Sequence, residues 1–130
     1  MLYVYIDGAS RGNPGLASIA YSIQRNDKIL IEYSEFIGIK TNNQAEYFAF
    51  IKALEKILDM NEKEVIIYSD SELLVKQING LYKVKNIYLK QLFKKAKDLL
   101  IKINNYEIIH IKREKNKRAD NLCNSVLNEQ

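Results

Sequence analysis

The chain has 130 residues, of which 47% are hydrophobic and 28% charged, and a net charge of +4. That length suits a single domain over residues 1–130 with a real core, and the composition is that of an ordinary globular protein. No apolar run is long enough to span a bilayer, and the opening "MLYVYID" lacks the basic start and cleavage site of a secretory leader, so no membrane partner is expected.

The first element is "LYVYID", an apolar and aromatic strand ending in the ionisable Asp7, with the glycine-rich "GASRGNPG" directly behind it. Three readings of that arrangement stand open: a loop that cradles phosphate, a metal ligand, or a hairpin whose Asp7 begins a turn. "LASIAYSIQ" and "KILIEYSEFIG" follow as strands, joined by "RND", which has hairpin length. The chain therefore opens as an antiparallel meander.

The period then changes. Tyr47, Phe50, Ile51, Leu54 and Leu58 recur at helical spacing, and Thr41 followed by Gln44 is the signature of a capping box. "EVIIYS" reads as a strand buried on both faces. Ser69 and Glu72 are spaced as a second capping box for a short helix, and "NIYLKQLFKKAKDLLIKI" is a third, amphipathic one. "YEIIHIK" is the last strand, and "NKRADNLCNSVLNE" the last helix, capped by Asn116. The lone cysteine, Cys123, falls in that helix as a buried core thiol, which suits a reducing cytoplasm. The order β-β-β-α-β-α-α-β-α implies right-handed crossovers and a mixed five-stranded α/β sheet with helices on both faces.

Four acids acquire a common position in that arrangement. Asp7 ends the first strand and Asp70 directly follows the fourth; if those strands are parallel neighbours, both acids lie at the crevice where open α/β sheets bind ligands. Glu46 and Asp120 lie in the first turns of two helices, where the helix dipole keeps an acid ionised. Singly, each is explained as a turn residue or a helix-dipole acid. Together they would repel one another, and an oxygen-only set of that kind favours Mg²⁺ or Mn²⁺. Charge is also unevenly spread. Residues 1–82 carry eight basic and eleven acidic side chains, a net of −3, whereas residues 83–118 carry twelve against three, a net of +9. The basic segment fits a polyanion partner, or else a solvated helix face.

The blocks "DGASRGNPG", "TNNQAEYFAFIKALE", "YSDSELLVKQI" and "REKNKRADNLCN" resemble type 1 ribonuclease H in order and spacing, from about Tyr3 to Leu127. The resemblance implies the ribonuclease H-like fold: the first three strands antiparallel, strands 1, 4 and 5 parallel. It implies that Asp7, Glu46, Asp70 and Asp120 hold two divalent cations. The implied reaction is endonucleolytic cleavage of RNA in an RNA–DNA hybrid, giving 3′-hydroxyl and 5′-phosphate ends. Double-stranded RNA and RNA–DNA junctions stand as alternative substrates. The glycine loop lacks the "GK[ST]" of a phosphate-binding loop. The resemblance implies that Asp7 is the central metal ligand and that Gly8 leaves room beside the scissile strand. The same resemblance brings Asn13 to the RNA in the minor groove, Thr41 to a phosphate of the DNA strand, Asn42 and Asn43 to base edges and sugar hydroxyls, and Ser71 to the RNA backbone.

Two departures from that family are legible. The loop before the last helix, "KREKN", carries Arg113 and Glu114 but no histidine; the single histidine, His110, falls within the last strand. The basic protrusion of some relatives is reduced to "LYKVK", leaving Lys83, Lys85 and the lysines of the third helix for contact with DNA. A monomer is the expected state.

Overall fold

The computed structural model describes residues 1–130 as five strands and four helices with one 3₁₀ turn: β1 (Leu2–Ser10), β2 (Gly15–Arg25), β3 (Lys28–Lys40), α1 (Asn42–Asp59), β4 (Glu64–Ser69), α2 (Glu72–Ile78), α3 (Ile87–Leu100), β5 (Asn105–His110) and α4 (Lys117–Asn128), the turn covering Arg113–Lys115. The sheet order is β3-β2-β1-β4-β5. β1 pairs antiparallel with β2 and β2 with β3, whereas β1–β4 and β4–β5 are parallel, as the expected topology requires.

α1, α2 and α3 cover one face, where Leu2, Val4 and Ile6 of β1 meet Phe50, Leu54 and Ile57 of α1 in the main core. α4 lies on the other face, against β1 and β2, where Ser18 Oγ donates to the Cys123 carbonyl at 2.9 Å. Tyr47 Oη donates to Gln77 Oε1 at 2.6 Å, which joins α1 to α2 inside the core.

Several local expectations are corrected. The hairpin between β2 and β3 turns on two residues, Asn26 and Asp27, both at positive φ, the conformation that a tight hairpin of this twist demands. β4 is fully buried on one side only: Val65, Ile67 and Ser69 are inside, but Ile66 and Tyr68 are half-exposed because α4 stops short of β4. Tyr68 stacks on Tyr5 instead, with ring centroids 4.8 Å apart. Ser69 is not the cap of α2. It ends β4, and the cap is Ser71, whose Oγ accepts from the Leu74 N–H at 3.2 Å. The Thr41 box is present in full, Gln44 N–H to Thr41 Oγ1 at 3.1 Å and Thr41 N–H to Gln44 Oε1 at 2.8 Å.

Candidate active site

β1 does not end at Asp7. It remains paired with β2 as far as Ser10, opposite Ala17, but its ladder with β4 stops at Ile6 opposite Ser69. Asp7 is thus the first β1 residue past the point where the two parallel strands part, and Asp70 is the first residue after β4. The parting opens a crevice at the carboxyl ends of both strands.

α1 closes against this crevice at one close approach. A β-carbon on Gly8 would overlap the Ala45 carbonyl and the Glu46 amide nitrogen, so only glycine permits the contact. The contact brings Glu46 inside, where its Oε1 accepts the Gly8 N–H at 2.7 Å. Asp7, Glu46 and Asp70 each offer a carboxylate oxygen within 4.8 Å of the other two. Asp120, on the first turn of α4, completes the wall of a cleft of about 310 Å³. Arg113 Nη2 lies 3.4 Å from Asp120 Oδ1.

Burial and mutual repulsion act together on these acids. Burial above all, then the charges of Asp70 and Asp120, push the Asp7 carboxyl up to about 8. Glu46 is held well above the ordinary carboxylate range, mainly by burial and then by Asp7, with the Gly8 N–H opposing. Asp70 is raised by burial and is partly relieved by a hydrogen bond from Asn116. The donor set fits a hard divalent cation: every donor is a carboxylate oxygen, no thiolate or imidazole competes, and a double positive charge removes the repulsion that the fold imposes.

The structure divides the remaining expected residues. Gly8 and Asn42 line the acid cleft. Asn13, Thr41 and Asn43 line a neighbouring pocket of about 250 Å³. The two are coupled through the Asn42 N–H, which donates to Asn13 Oδ1 at 3.1 Å. Ser71 lines neither and serves as the α2 cap.

A profile of the "Reverse transcriptase-like" family matches residues 5–126. The chain is 38% identical over 129 residues to "Ribonuclease HI" of Halobacterium salinarum, covering 98% of this chain and 65% of that protein. It superposes on the crystal structure of RNase H1 from that archaeon with a TM-score of 0.95, at 38% identity, covering 99% of this chain and 98% of the other. The chain belongs to the ribonuclease H family. A second structure, LC11-RNase H1 in complex with RNA/DNA hybrid, matches with a TM-score of 0.91 at 43% identity, over 96% of this chain and 95% of that one.

Against the ribonuclease H pattern, the place of a loop histidine is taken by the 3₁₀ turn that carries Arg113, which lines the cleft. His110 is the last residue of β5 and lies outside the cleft. Several neighbours of the site escaped sequence reasoning. Asn86 and Tyr88 complete the pocket of Thr41 and Asn43, and Asn86 also caps α3, its Oδ1 accepting the Tyr88 N–H at 2.9 Å. Asn116 was expected to cap α4. It does stand at that position, but its side chain makes no capping bond and turns inward, donating to the Ile6 carbonyl at 2.8 Å and to Asp70 Oδ2 at 3.3 Å.

Proposed function

We propose that this chain is a metal-dependent endoribonuclease that hydrolyses the RNA strand of an RNA–DNA hybrid and leaves 3′-hydroxyl and 5′-phosphate ends. The convergence of Asp7, Glu46 and Asp70 within 4.8 Å, from β1, α1 and the junction after β4, carries the reading. Asp7, Glu46, Asp70 and Asp120 are the proposed ligands of two Mg²⁺ or Mn²⁺ ions. Bound ions of this kind lower the pKa of water and offset charge on a phosphodiester.

The chain's own residues hold the ligands in place. The Gly8 N–H fixes one oxygen of Glu46, and Asn116 fixes one oxygen of Asp70, so both carboxylates are oriented before any cation or substrate arrives. Arg113 orients Asp120 from the open side. In the neighbouring pocket, the Thr41 hydroxyl supplies a donor for a phosphate of the DNA strand and Asn13 serves the RNA in the minor groove; the amides of Asn43 and of Asn42, the latter beside the acids, can both donate to and accept from base edges and sugar hydroxyls. Gly8 leaves the scissile strand room, and Ser71 serves the RNA backbone beside Asp70. Lys83, Lys85 and the α3 lysines add charge without sequence preference. All four acids come from one chain, so a single copy carries a complete site. No helix is long and apolar enough to cross a membrane. We assign the activity to the cytoplasm, where the Cys123 thiol would stay reduced.

Cleavage of a labelled hybrid beside matching double-stranded RNA, with Mg²⁺, Mn²⁺ or EDTA, tests the reading in wild type and Asp70→Asn. Metal-dependent cutting of the hybrid, lost in the variant, is expected. Undiminished cutting by Asp70→Asn under both ions would end the metal mechanism. Equal cutting of both duplexes would widen the substrate to A-form helices generally.

A further inference from the structure

Three of the four arginines sit on carboxylates: Arg25 on Glu62, Arg113 on Asp120 and Arg118 on Glu32. Arg11 has no such partner, although it lines the same cleft as Asp7, Glu46, Asp70 and Asp120. Its Nη2 donates instead to a neutral acceptor, Asn128 Oδ1 on the last turn of α4, at 2.5 Å. A guanidinium next to a cluster of anions and paired with none of them is held away by its surroundings.

The backbone explains how. The Arg11 N–H donates to the Leu16 carbonyl at 2.8 Å and closes the β1–β2 turn. Gly12 follows at φ +145°, and a β-carbon on Gly15 would lie 2.8 Å from the Arg11 carbonyl carbon. The turn therefore fixes where the side chain starts, and Asn128 fixes where it ends. One of five N–H donors is used, which leaves a fork free on the rim of the cleft.

We infer that Arg11, held by Asn128, binds a phosphodiester of the RNA strand next to the scissile one. The inference rests on the ribonuclease H reading above. A strand that lays one phosphate over the acids must carry its neighbours past the cleft wall, and on the α4 side that wall is Arg11, Asn124 and Leu127. A planar fork suits two phosphate oxygens at once, and a carboxylate-free arginine has no ion pair to break before it engages. Arg113 is already committed to Asp120 and does not duplicate the role.

The test uses hybrids that direct one cut, in which each RNA or DNA linkage other than the scissile one is replaced singly by a neutral methylphosphonate. Wild type, Arg11→Ala, Arg11→Lys and Asn128→Ala are compared. Arg11→Ala is expected to raise KM about tenfold with little change in kcat, and to flatten the log–log salt dependence of hybrid binding by about one unit. One RNA linkage, when neutral, should produce the same loss in wild type and no further loss in Arg11→Ala. Arg11→Lys should fall between the two, since it keeps charge and loses the fork, and Asn128→Ala should raise KM by less than Arg11→Ala. Melting temperatures of all four proteins report whether the turn survives. Equal losses in wild type and Arg11→Ala at every linkage, or coupling only to a DNA linkage, would overturn the inference while leaving the enzyme intact. Failure of wild type to cut any hybrid would overturn the underlying reading instead.

Discussion

Asn116 Nδ2 lies 3.3 Å from Asp70 Oδ2 and 2.8 Å from the Ile6 carbonyl, so a single buried amide joins the point where β1 parts from β4 to an acid of the cleft. Its backbone carbonyl also accepts the Asp120 N–H at 3.1 Å, which ties a second acid to the same residue. Asn116→Ala removes the donor and leaves a buried carbonyl unpaired. We expect a loss of about 1–3 kcal/mol in denaturant unfolding. We also expect Mn²⁺ affinity, read by calorimetry on the folded variant, to fall by about tenfold or more. Unchanged affinity would show that Asp70 is placed without the amide.

Gly8→Ala should be among the most damaging single changes. The added methyl meets backbone on both Ala45 and Glu46, which no side-chain rotation can relieve. α1 must move away from β1, and the Gly8–Glu46 hydrogen bond goes with it. A loss of about 3 kcal/mol or more is expected by denaturant titration, with weakened metal binding at temperatures where the variant is still folded.

Without divalent cations, stability should fall as pH rises. The Asp7 carboxyl is raised by burial, then by Asp70 and Asp120, from its ordinary 3.8 to about 8. A carboxyl raised on folding favours the folded state when protonated; its contribution is complete below 3.8 and is lost as pH climbs through about 8. Glu46 and Asp70 shift in the same direction. Melting in EDTA from about pH 5 to about pH 8.5 should show a steady decline, and saturating Mn²⁺ should flatten it. A flat profile in EDTA would mean that the acids are less crowded in solution.

Asp7→Asn should separate stability from catalysis. It removes the central charge of the cluster, so the metal-free protein is expected to gain roughly 1–3 kcal/mol at pH 8 while hybrid cleavage is lost. Denaturant titration and single-turnover kinetics on one preparation check both halves. A variant that is destabilised and still active would contradict the electrostatic account.

Much of this architecture is legible along the chain because its signals are local. Thr41 and Gln44 declare a helix start through two hydrogen bonds that span three residues, and both form. The alternation from β1 to β3 declares a meander, and Asp7 and Asp70 stand out as charges beside apolar strands. What was misread depends on partners distant in sequence. Ser69 and Ser71 are both plausible caps, and Ser69 is withdrawn from the role because its Oγ accepts the Ser71 N–H at 3.0 Å. Asn116 reads as a helix cap, and only the Ile6 carbonyl, 110 positions earlier, reveals its inward turn. The outer face of β4 looks buried from its apolar run, yet whether a helix lies over it is decided by where α4 docks.

The cleft is closed by a helix that lies far along the chain from the strands that open it. α4 is seated on the sheet by Ser18 Oγ to the Cys123 carbonyl and by Cys123 Sγ to the Asp7 carbonyl at 3.3 Å, and it carries Asp120, with Asn116 at its head. Without residues 116–128, Asp70 would lack its amide and the crevice a wall. A chain cut short before Asn116 would keep an unfinished mouth at the carboxyl ends of β1 and β4, not a weakened site.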